Sequence, residues 1–158
     1  MKKNEKTNVM RVLDQKKVSY VSHSYVDTDA ISGVEVAKVL NQDPNQVFKT
    51  LVTIGASKKY YVYLVPVHRE LDLKMAAKAV GEKSIVMLPA KDLLPLTGYI
   101  HGGCSPIGMK KQFQTTIDHT AANFDTIVFS AGKIGYQVEL PLEELKKVIR
   151  FELKEITE

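Results

Sequence analysis

The stretch that decides the fold is residues 46–67, QVFKTLVTIGASKKYYVYLVPV. Two runs rich in β-branched and aromatic residues, 46–54 and 58–67, flank the turn-forming segment GASKK, which is the pattern of a β-hairpin. Side chains alternate along a strand, so Lys49 shares a face with Val47 and Leu51, while Phe48, Thr50 and Val52 take the other. Neither face is clearly polar. The lysine must therefore emerge into solvent, a cleft or a partly buried site, and a stem snorkelling over apolar surface fits as well as a functional ammonium.

Working outward, Val9, Val12 and Leu13 have helical spacing and predict an amphipathic helix over about 7–16. Residues 18–25, VSYVSHSY, read as extended. Ser32 and Glu35 have the S-x-x-E form of a capping box for a helix running to about Leu40, before the turn cluster NQDPN at 41–45. LDLKMAAKAVG at 71–81 predicts a helix with Asp72 as N-cap and Gly81 as its stop. KSIVML (83–88) is extended, and PAKDLLPLTG (89–98) is a short helix or turn ending at Gly98. QTTIDH (114–119), DTIVFSAG (125–132) and YQVEL (136–140) are further strands, and PLEELKKVIRFEL (141–153) reads as a helix with Pro141 at its first position. The elements mix without a regular βαβ rhythm. An α/β (α+β) domain around a mixed sheet, open or closed, is the natural class, and 158 residues without a linker or repeat fit one domain spanning 1–158.

Composition narrows the function. With 44% hydrophobic and 25% charged residues the chain is ordinary globular material, and only MKKNEKTN at the start reads as a candidate disordered tail. No apolar run is long enough to span a bilayer, and that N-terminus lacks the apolar core of a signal peptide. A single cysteine cannot form an internal disulfide, so a reducing cytoplasm is the simplest location. A net charge of +4 is compatible with touching a few phosphates, though most such excesses are solvated surface.

Three places could carry chemistry besides Lys49. In residues 97–113, TGYIHGGCSPIGMKKQF, Gly102 and Gly103 permit close approach to backbone amides and Pro106 stiffens the exit. Such amides can hold a phosphate or an oxyanion, and a plain tight turn explains the composition equally well. The lone Cys104 invites a thiol-enzyme reading, but no signature of a cysteine hydrolase surrounds it, and a small buried cysteine accounts for it better. One cysteine with His23, His68, His101 and His119 scattered along the chain matches no zinc-ligand spacing. Ser130, Gly132, Lys133 and Gly135 form a polar, glycine-bearing turn between two strands, which is either a site or simply a hairpin. Tyr25 and Glu139 are ambiguous singly.

Taken in order, HSY (23–25), VFKTLV (47–52), VPVHRELDLKMAAKAVG (65–81), TGYIHGGCSPIGMKK (97–111), TIDHT (116–120) and VFSAGKIGYQVEL (128–140) resemble the YbaK/EbsC family of aminoacyl-tRNA deacylases. The lysine in a V-[FY]-K-T-L strand and the G-G-x-S-P-[IL]-G loop are its most specific elements. The resemblance implies a mixed β-barrel with flanking helices, like the editing domain of bacterial prolyl-tRNA synthetase. It implies hydrolysis of mischarged Cys-tRNA(Pro) or Cys-tRNA(Cys), with the substrate's own thiol attacking its ester. Lys49 falls on the family's essential lysine and Tyr25 on its pocket tyrosine. Gly102, Gly103, Ser105 and Pro106 fall in its loop, and Ser130 and Gly132 in its S-[AG]-G-K hairpin. Gln137 stands where the family often has an acidic residue; it can hydrogen-bond there but cannot act as a charge or base. No metal and no cofactor are implied. The implied partners are the acceptor end of tRNA(Pro) and prolyl-tRNA synthetase, with no membrane and no DNA. A deacylase for another amino acid, such as alanine, and a non-catalytic tRNA- or synthetase-binding module remain alternatives.

Overall fold

The computed structural model of the protein describes residues 6–158. The expected disordered tail falls mainly on residues 1–5, outside the described residues. From Thr7 the chain is folded: its hydroxyl accepts from the Met10 amide and caps α1 (Asn8–Gln15). The capping box at Ser32 and Glu35 forms in full and starts α2 (Gly33–Val39). Asp72 caps α3 (Leu73–Val80), which Gly81 stops in the left-handed conformation, and α4 (Ala90–Thr97) ends likewise at Gly98.

The hairpin at 46–67 is the central element. β2 (Phe48–Gly55) and β3 (Tyr60–Pro66) pair antiparallel, with Lys49 opposite Val65. They lie in a five-stranded sheet of order β4-β2-β3-β5-β8, where β4 is Ile85–Met87, β5 Gln114–Asp118 and β8 Glu152–Lys154. β3–β5 and β5–β8 are parallel, which requires long crossovers. β1 (Val21–Ser24), β7 (Tyr136–Leu140) and β6 (Ile127–Ser130) make a second, antiparallel sheet of order β1-β7-β6.

The main core lies between the sheets. Phe48, Val52, Val62, Leu64 and Ile117 meet Ile127, Phe129, Val138 and Leu140, and Val9, Met10 and Leu13 of α1 complete the cluster. A second cluster backs the larger sheet with Tyr63, Val65, Ala76, Ala77 and Ile156. A third, of Ala37, Val47, Val67 and Val128, joins α2 to the seam between the sheets.

Two expectations need correction. The mixed α/β class holds, but no sheet closes into a barrel. The two sheets touch through one parallel bridge, Val47 to Val128, reinforced by the Val128 amide donating to the Gln46 carbonyl at 3.1 Å. Beyond that rung no β2–β6 ladder forms among the described residues, and Phe48 and Phe129 both turn into the core. The helix expected over 141–153 is only α5 (Leu142–Leu145), with Pro141 at its N-cap rather than its first position. The following residues become β8 because β5 offers an open edge. Buried Asp118 at the end of β5 also accepts from the Ile156 amide at 3.1 Å, just past that strand. Tertiary pairing here overrides local helix propensity.

Candidate active site

The bridge and the ladders set the site's geometry. Two residues beyond Val47 and Val128 lie Lys49 and Ser130. Ser130 is opposite Gln137 on β7, and Gln137 is opposite His23 on β1. Strand alternation therefore puts Lys49, Ser130, Gln137 and His23 in one row, on the face that α2 covers. Gly33 makes that cover close: a Cβ there would stand 2.5 Å from Cγ1 of Val67.

The remaining candidates converge at the turn between β6 and β7. Buried Tyr25 follows β1, and its amide donates to the Gly135 carbonyl at 2.8 Å. The Gly102–Pro106 loop packs on the same turn, so tightly that a Cβ on Gly103 would lie 3.2 Å from the Ile134 nitrogen. The Ser130 hydroxyl accepts from the Gly132 amide at 3.1 Å. Gly132 has φ +88°, and a Cβ there would stand 2.9 Å from both Tyr99 Cε1 and Val9 Cγ2. Tyr99 in turn donates its hydroxyl to the Ile107 carbonyl at 2.5 Å, tying the far side of the loop down.

Within the loop the residues divide by role. Gly103 spends its amide on the Ile100 carbonyl at 3.0 Å, whereas exposed Gly102 donates to no group among the described residues. Ser105 is fully buried and accepts from the Ile107 amide, and Pro106 is buried beside it, so both shape the loop from inside. Cys104 is only 7% exposed, and burial pushes its thiol up to about 12. A thiol that stays protonated at neutral pH is a poor nucleophile.

Charge at the site is sparse. Lys49 Nζ lies 3.4 Å from Oε2 of Glu70, a side chain that is 92% exposed. Glu139, two positions on from Gln137 and on the same face, has both carboxylate oxygens engaged. The Thr126 hydroxyl donates to its Oε2 at 2.5 Å, and His23 Nε2 lies 2.7 Å from its Oε1. Burial raises the Glu139 pKa, but those hydrogen bonds outweigh it and hold the carboxyl below its ordinary value. Gln137, 5% exposed, instead accepts from Gln42 Nε2 at 2.8 Å. Gln42 was missed in the sequence because it is 95 residues away, in the turn cluster after α2. Among the described residues no group of three or more His, Cys, Asp or Glu could hold a metal ion, and no helix is long and apolar enough to cross a membrane.

The model of the aminoacyl-tRNA editing domain matches residues 28–148, most of the chain. This chain belongs to the aminoacyl-tRNA editing domain family. It is 45% identical over 157 residues to the Enterococcus faecalis protein named "Putative Cys-tRNA(Pro)/Cys-tRNA(Cys) deacylase EbsC", covering 99% of this chain and 96% of that one. Its fold is shared by a structure described as a "putative trans-editing enzyme for prolyl tRNA synthetase", with TM-score 0.81, 20% identity, and 98% and 99% of the two chains covered. The hypothetical protein APE2540 also shares it, with TM-score 0.83, 16% identity, and 96% and 100% covered. Members of the editing-domain family act on aminoacyl-tRNA. In this editing domain the row on β2, β6, β7 and β1 meets the loop through Ser130, whose hydroxyl accepts from the Gly132 amide in the turn the loop packs on.

Proposed function

We propose that this editing domain removes cysteine from mischarged tRNA(Pro) in trans, with the substrate supplying the nucleophile. The observation that carries this is Cys104: the loop that packs on the Ser130–Gly135 turn contains the chain's only thiol, and that thiol is buried, which pushes its pKa up to about 12. The relative named for Cys-tRNA(Pro) and Cys-tRNA(Cys) supports the choice of amino acid.

The substrate's thiol can do what Cys104 cannot. A free thiol near pKa 8.5 is about one-tenth thiolate slightly above neutral pH. Its sulfur attacks the carbonyl carbon of its own ester, and the bond to the ribose oxygen breaks. That oxygen takes a proton, leaving free tRNA and a cyclic thiolactone that water opens. Holding the chain in the attacking conformer gives the step its effective molarity. The amide of Gly102, which has no acceptor among the described residues, stabilises the oxyanion in this reading. Lys49 binds the anionic end of the acceptor strand, and Tyr25 and Ser130 bound the aminoacyl pocket. Alanine and serine lack the thiol and escape. This mechanism discriminates far better than an apolar pocket, where one small group is worth ~1–3 kcal/mol. A charge of +4 supports only weak tRNA contact, so selection of tRNA(Pro) would come from association with prolyl-tRNA synthetase in the cytoplasm.

The test is release of labelled cysteine from Cys-tRNA(Pro) and Cys-tRNA(Cys), with Ala-tRNA(Pro) and Ser-tRNA(Pro) in parallel. Fast cysteine release with little alanine or serine release is expected. Release at the rate of buffer alone would overturn the reading. Fast alanine release would keep the site and move the substrate.

A further inference from the structure

Gln42 and Gln137 form an amide pair beside the polar row of Ser130 and His23. Gln42 Nε2 donates to Gln137 Oε1 at 2.8 Å, and that bond fixes which edge of Gln137 is left over. Its oxygen is occupied, while its Nε2 donates to nothing among the described residues. The opposite orientation of both amides would bury the Gln42 NH2 group without an acceptor. As it stands, the buried atom without a partner is the Gln42 oxygen. An unpaired carbonyl oxygen is the better tolerated of the two. Gln137 is also in the row with Ser130 and, one strand further, Lys49.

Resting on the deacylase reading, we propose that Gln42 and Gln137 act as one unit that offers the aminoacyl end a neutral hydrogen-bond donor, through Gln137 Nε2. A carboxylate at that place would accept from the substrate's α-ammonium. The held carboxamide instead donates to an oxygen acceptor of the aminoacyl-ribose end, an ester carbonyl or ribose oxygen. This site therefore does not use the α-ammonium for recognition at position 137. Gln42 is a positioning residue: it acts by holding Gln137's oxygen away from the ligand.

The experiment compares binding of two amide-linked mimics of the tRNA end, 3′-cysteinylamido-adenosine and its desamino counterpart carrying a 3-mercaptopropionyl group. At pH 6.5 the amine of the first is protonated, since such amines titrate at about 7.7–8.0. The wild-type protein is expected to bind both within about threefold. Gln137→Glu, nearly isosteric and still able to accept from Gln42, is expected to favour the amine-bearing mimic by about tenfold or more, the scale of a charge-assisted hydrogen bond. Gln42→Leu frees the carboxamide to rotate and is expected to raise the amine preference as well. A merely structural Gln42 would weaken both mimics equally, which would overturn its positioning role. A tenfold amine preference in the wild type, none in Gln137→Glu, or no binding of either mimic would overturn the proposal. Amino-acid release from charged tRNA is scored separately. Its failure alongside the expected binding pattern removes the deacylase reading and leaves the amide pair standing.

Discussion

Lys49 is held to Glu70 by a single 3.4 Å contact, and Glu70 is 92% exposed while the lysine is 30% exposed. Such a pair is worth at most ~1 kcal/mol, so Lys49 is not in β2 for stability. Lys49→Ala is expected to leave the melting temperature nearly unchanged and to cut cysteine release by about 100-fold or more, as loss of one charge-stabilising group does. Glu70→Gln should change neither. Single-turnover deacylation beside thermal melts checks all three statements.

Cys104 makes a second prediction. With its thiol pushed up to about 12 by burial, it should resist a disulfide reagent at pH 8 in the folded protein and react readily once unfolded. Cys104→Ala should retain deacylation within about twofold, because no covalent step passes through this sulfur. Loss of activity with an intact fold would restore the thiol-enzyme reading.

The third concerns Gly132. An added Cβ meets Tyr99 and Val9 at 2.9 Å, at a backbone φ of +88°. Overpacking and left-handed strain add, so Gly132→Ala should cost roughly 3 kcal/mol in denaturant unfolding and lower activity through the Ser130 turn. Gly81→Ala is the control. Its φ is +76°, but nothing lies within 4 Å of the new Cβ, so it should cost only about 1 kcal/mol.

The fourth is a pH dependence. The Glu139 carboxyl is held below its ordinary value of 4.5, with burial opposing and the Thr126 and His23 hydrogen bonds prevailing. Its folded pKa is the lower one, so its stabilisation is complete above the unfolded value and is lost as pH falls through the folded one. Glu139→Gln should therefore flatten the decline in stability as pH falls below about 4.5. Denaturation midpoints across that window test it, and an unchanged slope would contradict the assignment.

How much of this was legible in the sequence depended on distance along the chain. The hairpin at 46–67, the Ser32–Glu35 box and the Gly81 stop rest on local chemistry, and each formed where expected. β8 did not, because residues 152–154 have no strand signal of their own and take their conformation from the edge of β5. Barrel closure was an expectation from resemblance, and whether β6 continues along β2 is a pairing between distant residues that no local pattern marks. The glycine loop and Lys49 were visible as candidates. That Gly103 uses its amide internally while Gly102 does not was invisible, since both are glycines in one run. Gln137 stood out as a departure, but its partner Gln42 carries no local mark.

The burial of Cys104 has a bearing on oxidation. On the proposed reading, each turnover would bring a foreign sulfhydryl within reach of the loop that holds Cys104. Were Cys104 exposed and ionised, exchange with oxidised thiols in solution would leave a mixed disulfide plugging the site. Held 93% out of solvent, with its pKa pushed up by burial, it should be a spectator to that chemistry, and the protein should keep working as the surrounding thiol pool becomes more oxidised.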